Sequence, residues 1–221
     1  MGTEGAWEGL RGLLQRVPEG VPSTFEPGAT RYLQELRQWS RAGRLTGYRG
    51  DEGRIRELLG ASLLLLIAVP ELAGPLADVG SGPGVPGLII KLARPTWAVT
   101  LIEGRRRPAN FLRHVVRALD LADVTVVEAR AEAPAIRARL AHRFHAVTIR
   151  AVAPVAEAVA LALPLVNPRG RLVVGVGPRV ARAEQWGTVR EADGAPLLGR
   201  RRFVVVSGGP PWPGDAVPRG T

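Results

Sequence analysis

A glycine-rich loop at residues 78–87 is the strongest chemical signal in this chain of 221 residues. It reads Asp-Val-Gly-Ser-Gly-Pro-Gly-Val-Pro-Gly. A short apolar run precedes the loop and a helical pattern follows it, so the loop connects a strand to a helix. Glycines let the backbone come close to a ligand, and the first turn of a helix offers unpaired amide groups. The sequence therefore predicts a ligand site at this turn.

Two classes of ligand fit the loop. Residues 82–87 match the GxGxxG pattern of dinucleotide-binding proteins. The overlapping pattern Asp-x-Gly-x-Gly-x-Gly, which starts at Asp78, matches the loop of S-adenosylmethionine (SAM) methyltransferases. An acid at this place suits the ammonium group of SAM and would repel a diphosphate. Glu103, at the end of the next predicted strand, can accept hydrogen bonds from a ribose, which both SAM and NAD carry.

The elements that must position these residues change in type along the chain. Apolar residues at helical spacing dominate residues 1–70, with a third helix predicted at about residues 52–68. Over residues 71–208, short apolar strands alternate with helical patterns. The first helix of this part is predicted at about residues 85–93. This order predicts an α/β fold with a doubly wound, mostly parallel sheet. Proline and glycine are frequent in residues 209–221, which are predicted to be a loose tail. The predicted strands are residues 76–79, 98–102, 124–127, 146–149, 172–176 and 203–206.

Composition excludes several kinds of chemistry. The chain has no cysteine, which excludes disulfides and cysteine nucleophiles. Its three histidines lack the spacing of metal ligands, so we expect no metal site. The longest apolar run, residues 63–69, is too short to cross a bilayer, and the first residues do not form a signal peptide. These features lead us to expect a cytoplasmic protein without a membrane span.

Charge indicates a polyanionic partner, most simply a nucleic acid. The chain has 30 basic and 20 acidic residues, a net charge of +10, and Lys91 is its single lysine. Arg105, Arg106 and Arg107 open a predicted helix and are candidates for phosphate contacts, whereas the arginines at residues 200–202 are weaker candidates.

Arg150 is the best candidate for a substrate contact, because it ends the fourth predicted strand. A guanidinium there can bind the O6 atom of guanine or a phosphate. Alternatively, Arg150 has a structural role: it caps the end of the strand and pairs with Asp78 or Glu132.

Several motifs together resemble those of the ribosomal RNA small subunit methyltransferase G family, also called the glucose-inhibited division protein B family. The double Pro-Gly of the glycine loop is the most specific of them, and the resemblance covers roughly residues 30 to 207. The other matching residues, in chain order, are Tyr32, Leu36, Trp39, Leu45-Thr46, Glu103, Arg105-Arg106-Arg107, Phe111-Leu112, Ala131-Glu132 and Phe144 through Arg150-Ala151-Val152-Ala153.

The resemblance implies a SAM-dependent methyltransferase sheet with an N-terminal helical extension. It implies that SAM is the cofactor and that a guanine N7 in small-subunit (16S) ribosomal RNA is methylated, on free RNA or on an assembling 30S subunit. We expect a monomer. The residues expected to bind the cofactor are Asp78, Gly80, Gly82, Gly84, Val85, Glu103, Ala131, Glu132 and Arg150.

The chain departs from the family at polar positions associated with the substrate. The residues that replace the family's own are Arg44, Glu57, Gly60, Ala61, Val176 and Ser207. Three functions therefore stay open: an active ribosomal RNA methyltransferase, a degenerate relative that binds SAM or RNA with a lost or changed target, and a NAD-dependent oxidoreductase.

Overall fold

The structure is a computed structural model that describes residues 2–150, 154–177, 180 and 182–208. The predicted tail at residues 209–221 lies outside the described residues, as do Ala151, Val152 and Ala153. Among the described residues, no helix is long and apolar enough to cross a membrane.

Helices form the N-terminal part of the chain, as predicted. The third one is a continuous helical run with a π-helical segment of six residues in its middle, at Ile55–Gly60. Gly60 packs against Leu197, where a Cβ atom would lie 2.9 Å from a side-chain carbon. The helices are α1 (Thr3–Leu14), α2 (Phe25–Arg41), α3 (Gly50–Arg54) and, after the π-helical segment, α4 (Ala61–Ala68).

The sheet confirms the predicted α/β fold. Its strand order is β3-β2-β1-β4-β5-β7-β6, with parallel pairs from β3 to β5 and antiparallel pairs to β7 and β6. The strands are β1 (Leu76–Val79), β2 (Val99–Glu103), β3 (Val124–Glu128), β4 (Phe144–Arg150), β5 (Val166–Val176), β6 (Thr188–Ala192) and β7 (Arg201–Ser207). The strand order reverses between β1 and β4, and ligands of such sheets bind beyond the carboxyl ends of the strands at this point.

In the described residues, the α-helices of the α/β part are α5 (Gly87–Ala93), α6 (Arg106–Ala118), α7 (Pro134–Leu140) and α8 (Val155–Ala162). The helix predicted from residue 85 begins at Gly87, because the preceding residues form a turn whose Gly80 and Ser81 amides bond to the carbonyl of Ile102 at 2.8 and 3.1 Å. The single lysine, Lys91, is buried in α5 and donates to the carbonyls of Pro95 and Trp97, both at 2.7 Å.

The hydrophobic core contains residues from both sides of residue 70, the predicted end of the helical extension. One cluster of buried side chains joins Leu10 and Leu36 of the N-terminal helices to Phe111 of α6 and to one face of the sheet. A second cluster lies on the other face, under α8. The helical extension is thus held to the α/β part by shared apolar burial, and Tyr32 of α2 donates to the carbonyl of Pro83 in the glycine loop at 2.9 Å.

Candidate active site

The glycine loop lies at the carboxyl end of β1, next to the reversal of strand order. Gly80, Gly82 and Gly84 have φ values of +69°, +53° and +93°, which residues with a side chain rarely adopt. At Gly84, a Cβ atom would also lie 2.3 Å from the Leu88 side chain. These glycines are therefore required by the turn itself.

Asp78 holds the loop from inside. Its carboxylate is buried and accepts hydrogen bonds from the Thr148 hydroxyl at 2.9 Å and from the Gly87 amide at 3.1 Å. Burial raises the pKa of this carboxyl to about 6. Since the carboxylate bonds to the first amide of α5, Asp78 occupies the helix N-terminus and lies behind the loop.

Glu103 ends β2 and presents a carboxylate whose position is fixed by three donors. Oε2 accepts from the Gly82 amide at 2.8 Å, and Oε1 accepts from the amide and the Nε of Arg105 at 2.9 and 3.1 Å. A carboxylate has about four acceptor positions, so Oε2 retains capacity for a further donor. A ribose hydroxyl fits that requirement.

A cavity of about 390 Å³ opens between the carboxyl ends of β1, β2 and β3, and we name it the loop cavity. Its walls bring together five predicted cofactor residues: Gly80, Glu103, Ala131, Glu132 and Arg150. The other predicted residues lie elsewhere, because Asp78 is behind the loop and Val85 is buried in the core. Gly82 and Gly84 shape the turn without lining the cavity walls.

A larger cavity of about 600 Å³ lies beyond β4 and β5, against the helical extension and β7. We name it the arginine cavity, because Arg150, Arg200, Arg201 and Arg202 line it. Tyr48, 41% exposed, is also on its wall. Its apolar wall consists of Ala61, Ile149, Pro154, Val155, Ala158, Val174, Val176, Val180 and Phe203.

Arg150 belongs to the walls of both cavities. Its Nη1 donates to the backbone carbonyl of Glu57 at 3.0 Å. The alternative pairing with Asp78 or Glu132 is not formed in the structure, where Glu132 pairs with Arg130 at 3.5 Å. Arg150 thus stands at the boundary between the two cavities with a neutral hydrogen-bond partner.

The three arginines after Glu103 have different surroundings. Arg105 bonds to Glu103, and Arg106 is exposed at the start of α6. Arg107 donates to the carbonyls of Trp39, Ala42 and Gly43 at 2.8, 2.8 and 3.1 Å. These carbonyls end α2, so Arg107 caps that helix, and three of its five N–H donors are engaged there.

Sequence reasoning missed the role of Glu57, which lines the arginine cavity and pairs with Arg201. It also missed Tyr48. An isolated tyrosine and an acid in a helical pattern carry no local signal, and only the fold brings them to this cavity. Of the positions where the chain departs from the family, Glu57, Ala61 and Val176 line the arginine cavity.

Comparison with known proteins agrees with this geometry. The family model for rRNA small subunit methyltransferase G matches residues 26–185. A protein named ribosomal RNA small subunit methyltransferase G from Roseiflexus sp. (strain RS-1) is 38% identical over 151 residues, which are 68% of this chain and 64% of that protein. The aligned segment is therefore just under two thirds of that relative's length. The protein of the same name from Roseiflexus castenholzii is 35% identical over 200 residues, 86% of this chain and 85% of the relative.

Solved structures share the fold at lower sequence identity. A crystal structure of an MtNAS variant superposes with a TM-score of 0.52 and 16% identity, covering 80% of this chain and 71% of that one. The match of the family model and the identity to the curated relatives establish the relationship itself. This chain belongs to the ribosomal RNA small subunit methyltransferase G family.

Proposed function

We propose that this protein transfers a methyl group from SAM to N7 of a guanine in small-subunit (16S) ribosomal RNA. The observation that carries the proposal is the position of Arg150 on the shared wall of the loop cavity and the arginine cavity. SAM bound in the loop cavity and a guanine bound in the arginine cavity would meet beside this guanidinium.

The loop cavity fits SAM better than a dinucleotide. In dinucleotide sites the pyrophosphate lies on the amides of the helix N-terminus. Here the Asp78 carboxylate bonds to the Gly87 amide in that place and would repel a diphosphate. Glu103 would hold the ribose of SAM, while Ala131 and Glu132 would lie at the adenine, as the family resemblance implies. The oxidoreductase alternative is therefore disfavoured.

Methylation at N7 requires alignment more than acid–base chemistry. Bound SAM supplies an electrophilic methyl group on its sulfonium, and guanine N7 has an unprotonated lone pair. No base has to remove a proton before attack, so proximity and orientation can supply much of the rate. Arg150 can donate to O6, next to N7, and so fix the base in register with the loop cavity.

The arginine cavity suits one nucleotide of an RNA in size and in chemistry. Its volume lies in the range of small-molecule sites, its arginines attract phosphates, and the exposed ring of Tyr48 offers a surface on which a base can stack. Both cavities are built from one chain, so we propose that a monomer suffices. The substrate would be ribosomal RNA or an assembling 30S subunit, which would place the protein in the cytoplasm.

The test begins with calorimetric titration of the protein by SAM and, separately, by NADH. We expect binding of SAM and none of NADH, and Gly80→Arg, which strains the positive-φ turn and places a side chain at the wall of the loop cavity, should abolish SAM binding while the rest of the protein stays folded. NADH binding without SAM binding would refute the proposal.

Methyl transfer is then measured with radiolabelled SAM on undermodified 30S subunits and on free 16S ribosomal RNA. Chain cleavage at 7-methylguanosine would locate the product. SAM binding without transfer to either substrate would instead favour a degenerate relative, which the departures at Glu57, Ala61 and Val176 in the arginine cavity could explain.

A further inference from the structure

The π-helical segment changes which backbone groups are free beside the arginine cavity. In an α-helix, the amide of Ala61 would bond to the carbonyl of Glu57, four residues earlier. Here the Ala61 amide bonds to the carbonyl of Arg56, five residues earlier. The Glu57 carbonyl is therefore released from the Ala61 amide, and it accepts the Nη1 of Arg150 at 3.0 Å. Short π-helical segments inside helices frequently occur at functional sites.

The side chain of Glu57 makes a second connection. Both of its oxygens accept from Nη2 of Arg201, at 3.0 and 2.9 Å, and the two side chains are 25% and 30% exposed. One residue of the helical extension thus holds an arginine at the end of β4 through its backbone and an arginine of β7 through its carboxylate.

The charges around the cavity single out Arg150. Arg200 and Arg202 pair with Glu191, each at 3.2 Å, and Arg201 pairs with Glu57. Arg150, in the part of the chain that the structure describes, has a carbonyl and no carboxylate within ion-pair distance. The buried Asp78 carboxylate interacts with this charge without forming an ion pair, so the Arg150 guanidinium is not held by a carboxylate and is available to a guanine O6 or a phosphate.

We propose that Glu57 is a positioning residue for the methyl transfer, an inference that rests on the proposed function. The Glu57–Arg201 ion pair fixes the π-helical segment against β7, which keeps the Glu57 carbonyl on Arg150. Arg150 is thereby aimed along the boundary between the two cavities. Without the ion pair, the segment stays packed through its buried apolar side chains, but Glu57 loses its fixed position against β7 and Arg150 becomes more mobile.

The kinetic test compares Glu57→Ala, Arg201→Ala and the double variant with the wild type. We expect kcat at saturating SAM and RNA to fall about 10-fold in each, because small misplacements are costly to alignment. The double variant should lose no more than either single one, and the Kd of SAM should stay the same. Glu57→Gln, which keeps an acceptor for Arg201, should recover most of kcat.

A matched control removes an ion pair whose two residues line neither cavity. Glu26 pairs with Arg11 at 2.6 Å between α1 and α2, and Glu26→Gln should leave kcat unchanged. If the Glu57 variants keep the wild-type kcat, or if their kcat falls only in proportion to the folded fraction, the positioning role is wrong.

A second measurement does not depend on activity. Nitrogen-15 NMR of arginine guanidinium groups reports how freely Arg150 rotates. We expect restricted rotation in the wild type and in Glu26→Gln, and faster rotation in Glu57→Ala and Arg201→Ala. Equal rotation in all four proteins would overturn the inference. Restricted rotation that is lost in these variants, in a protein without methyl transfer, would uphold the positioning contact and refute the proposed function.

Discussion

Tyr48 contributes an aromatic ring to the wall of the arginine cavity, and this ring is 41% exposed. We expect Tyr48→Ala to raise the KM for RNA about 10-fold, since stacking contributes about 1–3 kcal/mol per base. The Kd of SAM and the melting temperature should stay unchanged, because the ring takes little part in the core. The measurement is methyl transfer at varied RNA concentration.

Tyr48→Phe is the matched variant, because it keeps the ring and removes the hydroxyl. It should retain the wild-type KM. An equal loss in both variants would point to a hydrogen bond from the hydroxyl and contradict stacking.

The buried carboxyl of Asp78 predicts a pH dependence of stability. Its pKa is about 6 in the folded protein against 3.8 without burial. The folded state therefore binds the proton more tightly, and this group's contribution is fully present below pH 3.8. It is lost as the pH rises through 6, by roughly 3 kcal/mol in the free energy of unfolding.

Asp78→Asn removes this titration. Urea denaturation of both proteins at pH 4, 5, 6 and 7 should show the wild type losing stability relative to the variant over that range. A constant difference across these pH values would show that Asp78 has an ordinary pKa when folded.

At the scale of elements, α2 is connected to the glycine loop by the Tyr32–Pro83 hydrogen bond. Tyr32→Phe removes the hydroxyl and leaves the Pro83 carbonyl without this donor. We expect a loss of about 1 kcal/mol in stability and a several-fold weaker affinity for SAM, because the loop is held less firmly. Calorimetry and thermal melting measure the two effects, and unchanged SAM affinity would show that the loop keeps its shape without α2.

The elements also show what the sequence could predict. The strands β1 and β2, the glycine loop and Glu103 were predictable, because apolar runs and glycine spacing are local signals. The strand β6 was not, because most of its residues are exposed and polar at the sheet edge. The ion pair of Glu57 with Arg201 joins residues 144 positions apart, and the capping role of Arg107 depends on how α2 packs against α6. Such contacts follow from the fold and leave no pattern in the sequence.

At the scale of the whole molecule, the net charge of +10 should make RNA binding strongly dependent on salt. For single-stranded RNA, the slope of log K against log salt is about −0.7 per neutralised phosphate. Arg106→Ala should flatten this slope by about 0.7 if Arg106 contacts a phosphate, without a change in melting temperature. Arg107→Ala should lower the melting temperature and leave the slope unchanged, since the Arg107 guanidinium caps α2. A fall in melting temperature for the Arg106 variant would contradict this division.

Burial of Lys91 has a consequence for chemical labelling. The chain has one ε-amine, that of Lys91, which is 2% exposed and donates to two carbonyls. An amine-directed acylating reagent can reach this amine only when α5 and the segment after it open. The rate of acylation at Lys91, followed by mass spectrometry, should therefore report the opening of the helix behind the glycine loop. We expect SAM to slow that rate if it binds the closed loop, which would make one residue a reporter of cofactor binding.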